Sequence, residues 1–170
     1  INYITQSDAV VRSLPLIMVF NNKLFPTFGL EMIRVGEKKR SIITNLNDNG
    51  IKNISIKPYE FKTDKNSLIW VKYNRSINNN YISAEKVFDK NFDENFFKDK
   101  YVLIGASAKG LFDTVKIPTG ETVPGVQVHA NVIDNLLNNS FLKRNDGIFI
   151  FELLLSIIIS IAAFIISQRI

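Results

Sequence analysis

The most strongly patterned part of the chain is an apolar run near its C-terminus. Of the nineteen residues 148–166, only Glu152, Ser156 and Ser160 are polar. About twenty apolar residues in an α-helix cross the ~30 Å hydrocarbon layer of a bilayer. We therefore predict a transmembrane helix over residues 147–167. A buried helix of a soluble protein is the alternative, although such helices seldom run this long with so few polar breaks.

The polar positions of this run fall on one face of the predicted helix. That face consists of Glu152, Ser156, Ser160, Ala163 and Ser167. Small residues let membrane helices approach closely, and hydroxyl or carboxyl groups can hydrogen-bond across the contact. The pattern predicts a contact face for a neighbouring helix, from the same chain or from another copy in a homodimer. A lipid-facing anchor with incidental serines is the alternative.

Short apolar runs, turn signals and helical stretches alternate through residues 1–146. The runs predict strands over residues 14–20, 23–25, 52–56, 59–62 and 68–71, with Asn21-Asn22 as a hairpin turn. Helical patterns cover residues 26–35, 83–89, 93–97 and 126–138, with Ser83 and Asp93 as N-caps. Residues 37–50 form a polar segment with no assigned element, and the asparagine-rich residues 74–82 predict a loop.

A strand–loop–helix unit follows in the second half of the chain. Residues 101–105 have the pattern of a buried strand, and a long connection rich in glycine and proline leads from there to helix 126–138. This unit is typical of α/β folds. We predict an α/β domain, with helices packed on a mixed sheet, followed by the transmembrane helix.

Composition excludes several classes of function. The chain has no cysteine and one histidine, so disulfide frameworks, thiol nucleophiles, cysteine-ligated metals and HExxH zinc sites are excluded. The net charge is +5, but the lysines are scattered among acidic residues instead of forming a basic stripe. This patterning argues against a nucleic-acid partner. We predict no metal and no cofactor.

Two catalytic motifs match the sequence in part, but each lacks a residue that its chemistry requires. Residues 105–110 follow a strand as a phosphate loop does, but the Lys and Ser/Thr that should follow the second glycine are absent. Ser107, Asp113 and His129 have the chain order of α/β-hydrolases, yet Lys109 stands where the nucleophile elbow needs glycine. Lys109 argues against such a site, and an α/β hydrolase using these three residues is kept only as the alternative to a non-enzymatic domain.

His129 falls in the middle of the apolar face of helix 126–138. Gln127, Asn131, Asp134 and Asn138 are expected on the opposite face, at 3.6 residues per turn. A histidine on a buried face is more often a core residue bonded to a neighbour than a ligand or base. Asp113 or a carbonyl near Thr119 is the expected partner.

Three sequence strings together resemble one known family. They are YVLIGASAKGLFDTVKIPTG, VPGVQVHANVIDNLLNNSFLKR and FELLL, and upstream SDAVVRSLPLIMVF and LFPTFGLE are similar to the same pattern. The family is the second type of CHASE domain, the cyclases/histidine-kinases-associated sensory extracellular domain. Two positions depart from the family pattern. Gln127 stands where the family usually has an acidic residue, and Ala9 stands where it usually has glycine. The motif positions are Gly105, Ser107, Gly110, Asp113, Pro124, Gly125, His129, Asn131, Asp134 and Asn135.

The resemblance implies a sensor and no catalytic residues. Residues 1–146 would be an N-terminally incomplete extracytoplasmic sensor domain, and residues 147–167 the first following membrane helix. The receptor would lie in the bacterial inner membrane with this domain in the periplasm. It would pass an unknown small-molecule or protein signal to an adenylate or guanylate cyclase or a kinase.

Two observations oppose this interpretation. Lys143 and Arg144 precede the apolar run and only Arg169 follows it, whereas positive residues usually mark the cytoplasmic side. We follow the resemblance here. A non-functional gene remnant is a further alternative, because both ends look cut.

Overall fold

The computed structural model describes residues 8–48, 50–74, 80–106, 113–143 and 146–168. The strands are β1 Ser13–Pro15, β2 Ile17–Phe20, β3 Lys23–Pro26, β4 Ile43–Asn47, β5 Gly50–Ile56, β6 Tyr59–Lys62, β7 Leu68–Trp70, β8 Thr114–Lys116 and β9 Thr122–Pro124. The helices are α1 Phe28–Gly36, α2 Ala84–Val87, α3 Gly125–Leu137 and α4 Asp146–Ser167.

Backbone pairing around β1 is mixed in direction. β1 runs antiparallel to β7, with Ser13 opposite Trp70. On its other side the segment leading into β1 makes a parallel bridge from Val10 to Lys116 of β8, and β8 pairs antiparallel with β9. Small sheets and helices thus form a mixed α/β fold, which confirms the predicted fold class.

Two antiparallel units are formed by local turns. β2 and β3 form the predicted hairpin, and Asn21 and Asn22 occupy its turn at φ of 50° and 57°. Positive φ at both central residues is what a two-residue type I′ turn needs, and asparagine tolerates it well. The second unit is the antiparallel sheet β4-β5-β6.

β4 lies within the polar segment of residues 37–50, where the sequence predicts no strand. Its side chains are mostly exposed, so no apolar alternation identified it from the sequence. Ladder hydrogen bonds to β5 define this strand instead, as is common for an edge strand.

The core lies between the strands and helices α1 and α3, and these two helices pack on each other. Its apolar side chains come from strands and helices alike. The largest fully buried ones are Leu16, Leu30, Ile33, Ile54, Ile56, Phe61, Ile69 and Leu136.

Residues 101–106 do not form the buried strand that we predicted. Ile104 is 96% exposed, and no described residue pairs with this segment along a ladder. Side-chain packing holds it instead. The ring of Tyr101 lies against Gly36 at the end of α1, and Gly105 lies against Val126 at the start of α3.

The predicted helices between residues 83 and 97 are also mostly wrong. α2 covers only Ala84–Val87, and Ser83 precedes it without a side-chain capping bond. Around Asp93 the chain forms turns, with Asp93 Oδ1 accepting a hydrogen bond from the backbone N–H of Asn95. Asparagine and aspartate favour such local turns over continuing a helix.

α4 confirms the predicted apolar helix. Residues Ile148–Ser167 have a mean hydropathy of 2.8 and none of their side chains is buried. By length and composition this helix could cross a membrane.

Candidate functional site

The C-terminus of α3 leads directly to the junction with α4. The N–H of Ser140 donates to Asn135 O at 2.9 Å and the N–H of Asn139 donates to Leu136 O at 3.3 Å. Asn139 has φ of 48°. These two bonds and the left-handed residue form a Schellman motif, which ends the helix and fixes the direction in which the chain leaves it.

The residues after this motif are held to the fold by side-chain and backbone contacts. Phe141 is buried in the core, and the N–H of Leu142 donates to Trp70 O of β7 at 2.9 Å. Lys143 Nζ lies 4.5 Å from the centroid of the Phe141 ring and 3.1 Å from Asn139 Oδ1. The chain is therefore anchored until Lys143, three residues before α4 begins.

Two asparagines one turn apart attach α3 to the chain that follows β7. Asn135 accepts a hydrogen bond from the N–H of Lys72 at 2.7 Å and donates to Lys72 O at 3.0 Å, as a neighbouring strand would. Asn131 accepts from the N–H of Asn74 at 2.8 Å and donates to Gln127 O at 2.9 Å. We call Asn131 and Asn135 the asparagine clamp.

The clamp corrects our assignment of the faces of α3. Asn131 and Gln127 are buried, whereas we had placed them opposite the apolar face. A carboxamide can be buried when backbone groups satisfy it, and the backbone of Lys72 and Asn74 offers such groups to α3. The sequence signal for this burial is the asparagine repeated at i and i+4, each directly before a buried apolar residue, Val132 or Leu136.

His129 consequently lies at the edge of the buried face. It is half-buried, and its ring meets the ring of Phe28 edge-on, with centroids 5.2 Å apart. Burial lowers the pKa of His129, while the nearby charge of Asp113 opposes that shift. Within the described part of the chain no hydrogen bond joins His129 to Asp113, so the predicted pairing is electrostatic only.

Gly125 begins α3 and contacts Asp113, which lies just before β8. The N–H of Gly125 donates to Asp113 O at 2.8 Å, and a Cβ on Gly125 would lie 2.5 Å from Asp113 Oδ1. Pro124 is the N-cap residue. A side chain at residue 125 would therefore displace the Asp113 carboxylate from its position against the start of α3.

Of the other predicted motif residues, Gly105 and Asp134 contact neighbours in the fold. A Cβ on Gly105 would lie 2.5 Å from Val126 Cβ, and Asp134 Oδ1 accepts a hydrogen bond from Asn138 Nδ2 at 2.9 Å. Ser107 and Gly110 lie outside the described residues. The predicted Ser107, Asp113 and His129 set is therefore seen only through its last two members.

Two ion pairs occupy the upstream part of the sequence pattern. Asp8 and Arg12 form a bidentate pair at 2.7 and 3.0 Å, which lowers the pKa of Asp8 to about 2. Glu31 pairs with Arg34 in α1, and this hydrogen bond lowers the pKa of Glu31. Both pairs are at least partly exposed and join residues three or four apart in the sequence.

The serines of the predicted contact face bond within α4. Ser156 Oγ donates to Leu153 O and Ser160 Oγ donates to Ser156 O, each at 2.8 Å. Their hydroxyl groups are thus satisfied by their own helix. Among the residues described, no group of three or more His, Cys, Asp or Glu side chains could hold a metal.

Comparison with known protein families places this architecture. The family model described as the CHASE2 domain matches residues 1–167. The chain belongs to the CHASE2 domain family. CHASE2 domains are extracellular sensory domains, and the match reaches through α4 to Ser167. No curated protein and no solved structure gives a significant match. The resemblance drawn from the sequence strings is thereby confirmed.

Proposed function

We propose that this CHASE2 chain is the signal-input module of a bacterial transmembrane receptor and has no catalytic activity of its own. The family match over residues 1–167 is the observation that carries this proposal. α4 would span the inner membrane with residues 1–146 on the periplasmic side. A cyclase or kinase domain would receive the signal on the other side.

The junction supplies a physical route for such a signal. α3 is tied to the segment after β7 by the asparagine clamp, and Leu142 is bonded to Trp70 of β7. A displacement of α3 against β7 therefore changes the position of Leu142. Only Lys143 and two further residues separate Leu142 from α4, so this short connection would transmit the displacement to the membrane helix.

Allosteric signalling requires two arrangements whose populations a ligand shifts. In this proposal the two arrangements differ in how α3 sits on the chain at residues 72–74. A small molecule or a protein that binds one arrangement better would supply the signal.

Cysteine accessibility in intact cells tests the location of the domain. The chain contains no native cysteine, so Thr114→Cys, at an exposed position of β8, creates a single thiol. In the full receptor we expect a membrane-impermeant maleimide to label it without lysis. Gln168→Cys, beyond α4, is the matched control and should be labelled only after lysis. The opposite pattern would contradict the proposal.

A further inference from the structure

The β2–β3 hairpin exposes an unusual amount of apolar surface. Val19 and Phe20 are 69% and 67% exposed, and three neighbours on the hairpin are exposed as well. Those neighbours are Met18, Leu24 and Phe25. Contiguous apolar patches are uncommon on soluble surfaces and mark sites of interaction with proteins or membranes.

The topology of the sheet places the root of this hairpin at the end where the chain leaves for α4. β7 is antiparallel to β1, and Leu142 pairs antiparallel with Trp70 of β7. Two reversals restore the direction, so the chain at Leu142 runs the same way as β1. β1 ends at Pro15, and the hairpin begins two residues later at Ile17.

Chain length keeps this end of the sheet close to the start of α4. Leu142 and Asp146 are four peptide units apart, which allows at most about 15 Å between their Cα atoms. The four-residue strands of the hairpin span about 14 Å at ~3.4 Å per residue. If α4 enters a bilayer at its N-terminus, the hairpin is long enough to reach the surface of that bilayer.

The chemistry of the hairpin also suits a lipid surface. Residues 17–30 contain one charged side chain, Lys23, and no acidic residue. Lys23 lies beside the turn, paired with Phe20. Aromatic and aliphatic side chains next to a cation favour the boundary between headgroups and acyl chains, especially with anionic lipids.

We propose that the tip of the β2–β3 hairpin, around Val19, Phe20 and Leu24, inserts into the surface of the membrane that α4 spans. The inference rests on the proposed membrane insertion of α4. The inserted hairpin would give the domain a second attachment to the bilayer. A movement of β1 relative to the membrane would then displace Trp70 and Leu142.

Quenching by lipids tests the insertion in the full chain. Lys23→Cys carries an environment-sensitive fluorophore, and the chain is reconstituted into vesicles of phosphatidylcholine and phosphatidylglycerol with nitroxide-labelled lipids. We expect quenching of this label and little quenching of a label at Thr114→Cys, which lies in β8 beyond the opposite end of β1. Adding Phe20→Asn should reduce the quenching at residue 23.

The matched control is Val35→Asn, a change of another exposed apolar residue at the far end of α1, and it should leave the quenching unchanged. Equal quenching at residues 23 and 114 in vesicles that float with the protein would overturn the hairpin inference alone. Energy transfer between copies that Phe20→Asn abolishes, without lipid quenching, would replace the bilayer by a second copy. Failure to float with vesicles would contradict the membrane proposal itself and the hairpin inference with it.

Discussion

β1 and β2 are consecutive strands in opposite environments. Only Leu16 separates them, yet every residue of β1 is buried, whereas three of the four residues of β2 are exposed. Among the described residues β1 pairs with β7, whereas β2 pairs with β3 and with no other strand. Hydrophobicity along residues 14–20 therefore stabilises the fold in its first half and leaves a free apolar surface in its second.

The largest effect should come from truncating the buried residue that joins the two strands. Leu16 is fully buried, so Leu16→Ala should lower the free energy of unfolding of the detergent-solubilised chain by about 2–5 kcal/mol. Val19→Ala, its exposed counterpart, should change it by less than about 0.5 kcal/mol. Chemical denaturation followed by the fluorescence of Trp70 measures both. Similar losses from both variants would show that β2 is buried as well.

A smaller effect is expected from the asparagine clamp. Asn135→Leu leaves the N–H and C=O of Lys72 without their partner, which should cost about 1–3 kcal/mol of unfolding free energy. Asn138→Leu removes an exposed carboxamide one turn along α3 and is the matched control, expected within about 0.5 kcal/mol. Equal stability of the two variants in denaturation would contradict the clamp.

The sequence predicted the elements whose signals are local. Asn21-Asn22 marked the hairpin, and the uninterrupted apolar residues of α4 marked its length. The asparagine clamp escaped prediction because burial of Asn131 depends on backbone groups about sixty residues away. Residues 101–105 were wrongly predicted as a strand, because an apolar run becomes a strand only when another strand lies beside it.

Titration of His129 should change stability with pH. Burial lowers its pKa in the folded domain, so the unfolded chain binds this proton more tightly. The contribution of His129 is complete above its ordinary pKa near 6.5 and declines as the pH falls below that value. We expect His129→Gln to flatten the pH dependence of the melting temperature between about pH 6.5 and 5. Asp113 and the other carboxylates remain in both proteins, so an unchanged profile would exclude His129 as the titrating group.

The smallest effect on stability, but a measurable one on association, is expected from α4. We propose that Ser156, Ser160 and Ala163, with Glu152, lie at a contact with another membrane helix. Because the serine hydroxyl groups bond within α4, close packing instead of hydrogen bonding would favour this contact. Ser156→Leu with Ser160→Leu should weaken self-association of the full chain in membranes. The control, Ile158→Leu with Ile165→Leu, changes other faces of α4 and should have little effect. Equal losses of self-association from both double variants would exclude the serine face as the contact.

The most direct test of signal transfer through the junction uses the backbone hydrogen bond from Leu142 to Trp70. Leu142→Pro removes the N–H that donates to Trp70 O, whereas Leu142→Ala keeps it and removes a half-exposed side chain. The measurement is the basal output of the full receptor, with membrane levels of both variants matched. We predict that Leu142→Pro changes this output and Leu142→Ala leaves it near that of the unmodified receptor. Equal outputs from both variants and the unmodified receptor would contradict coupling through this junction.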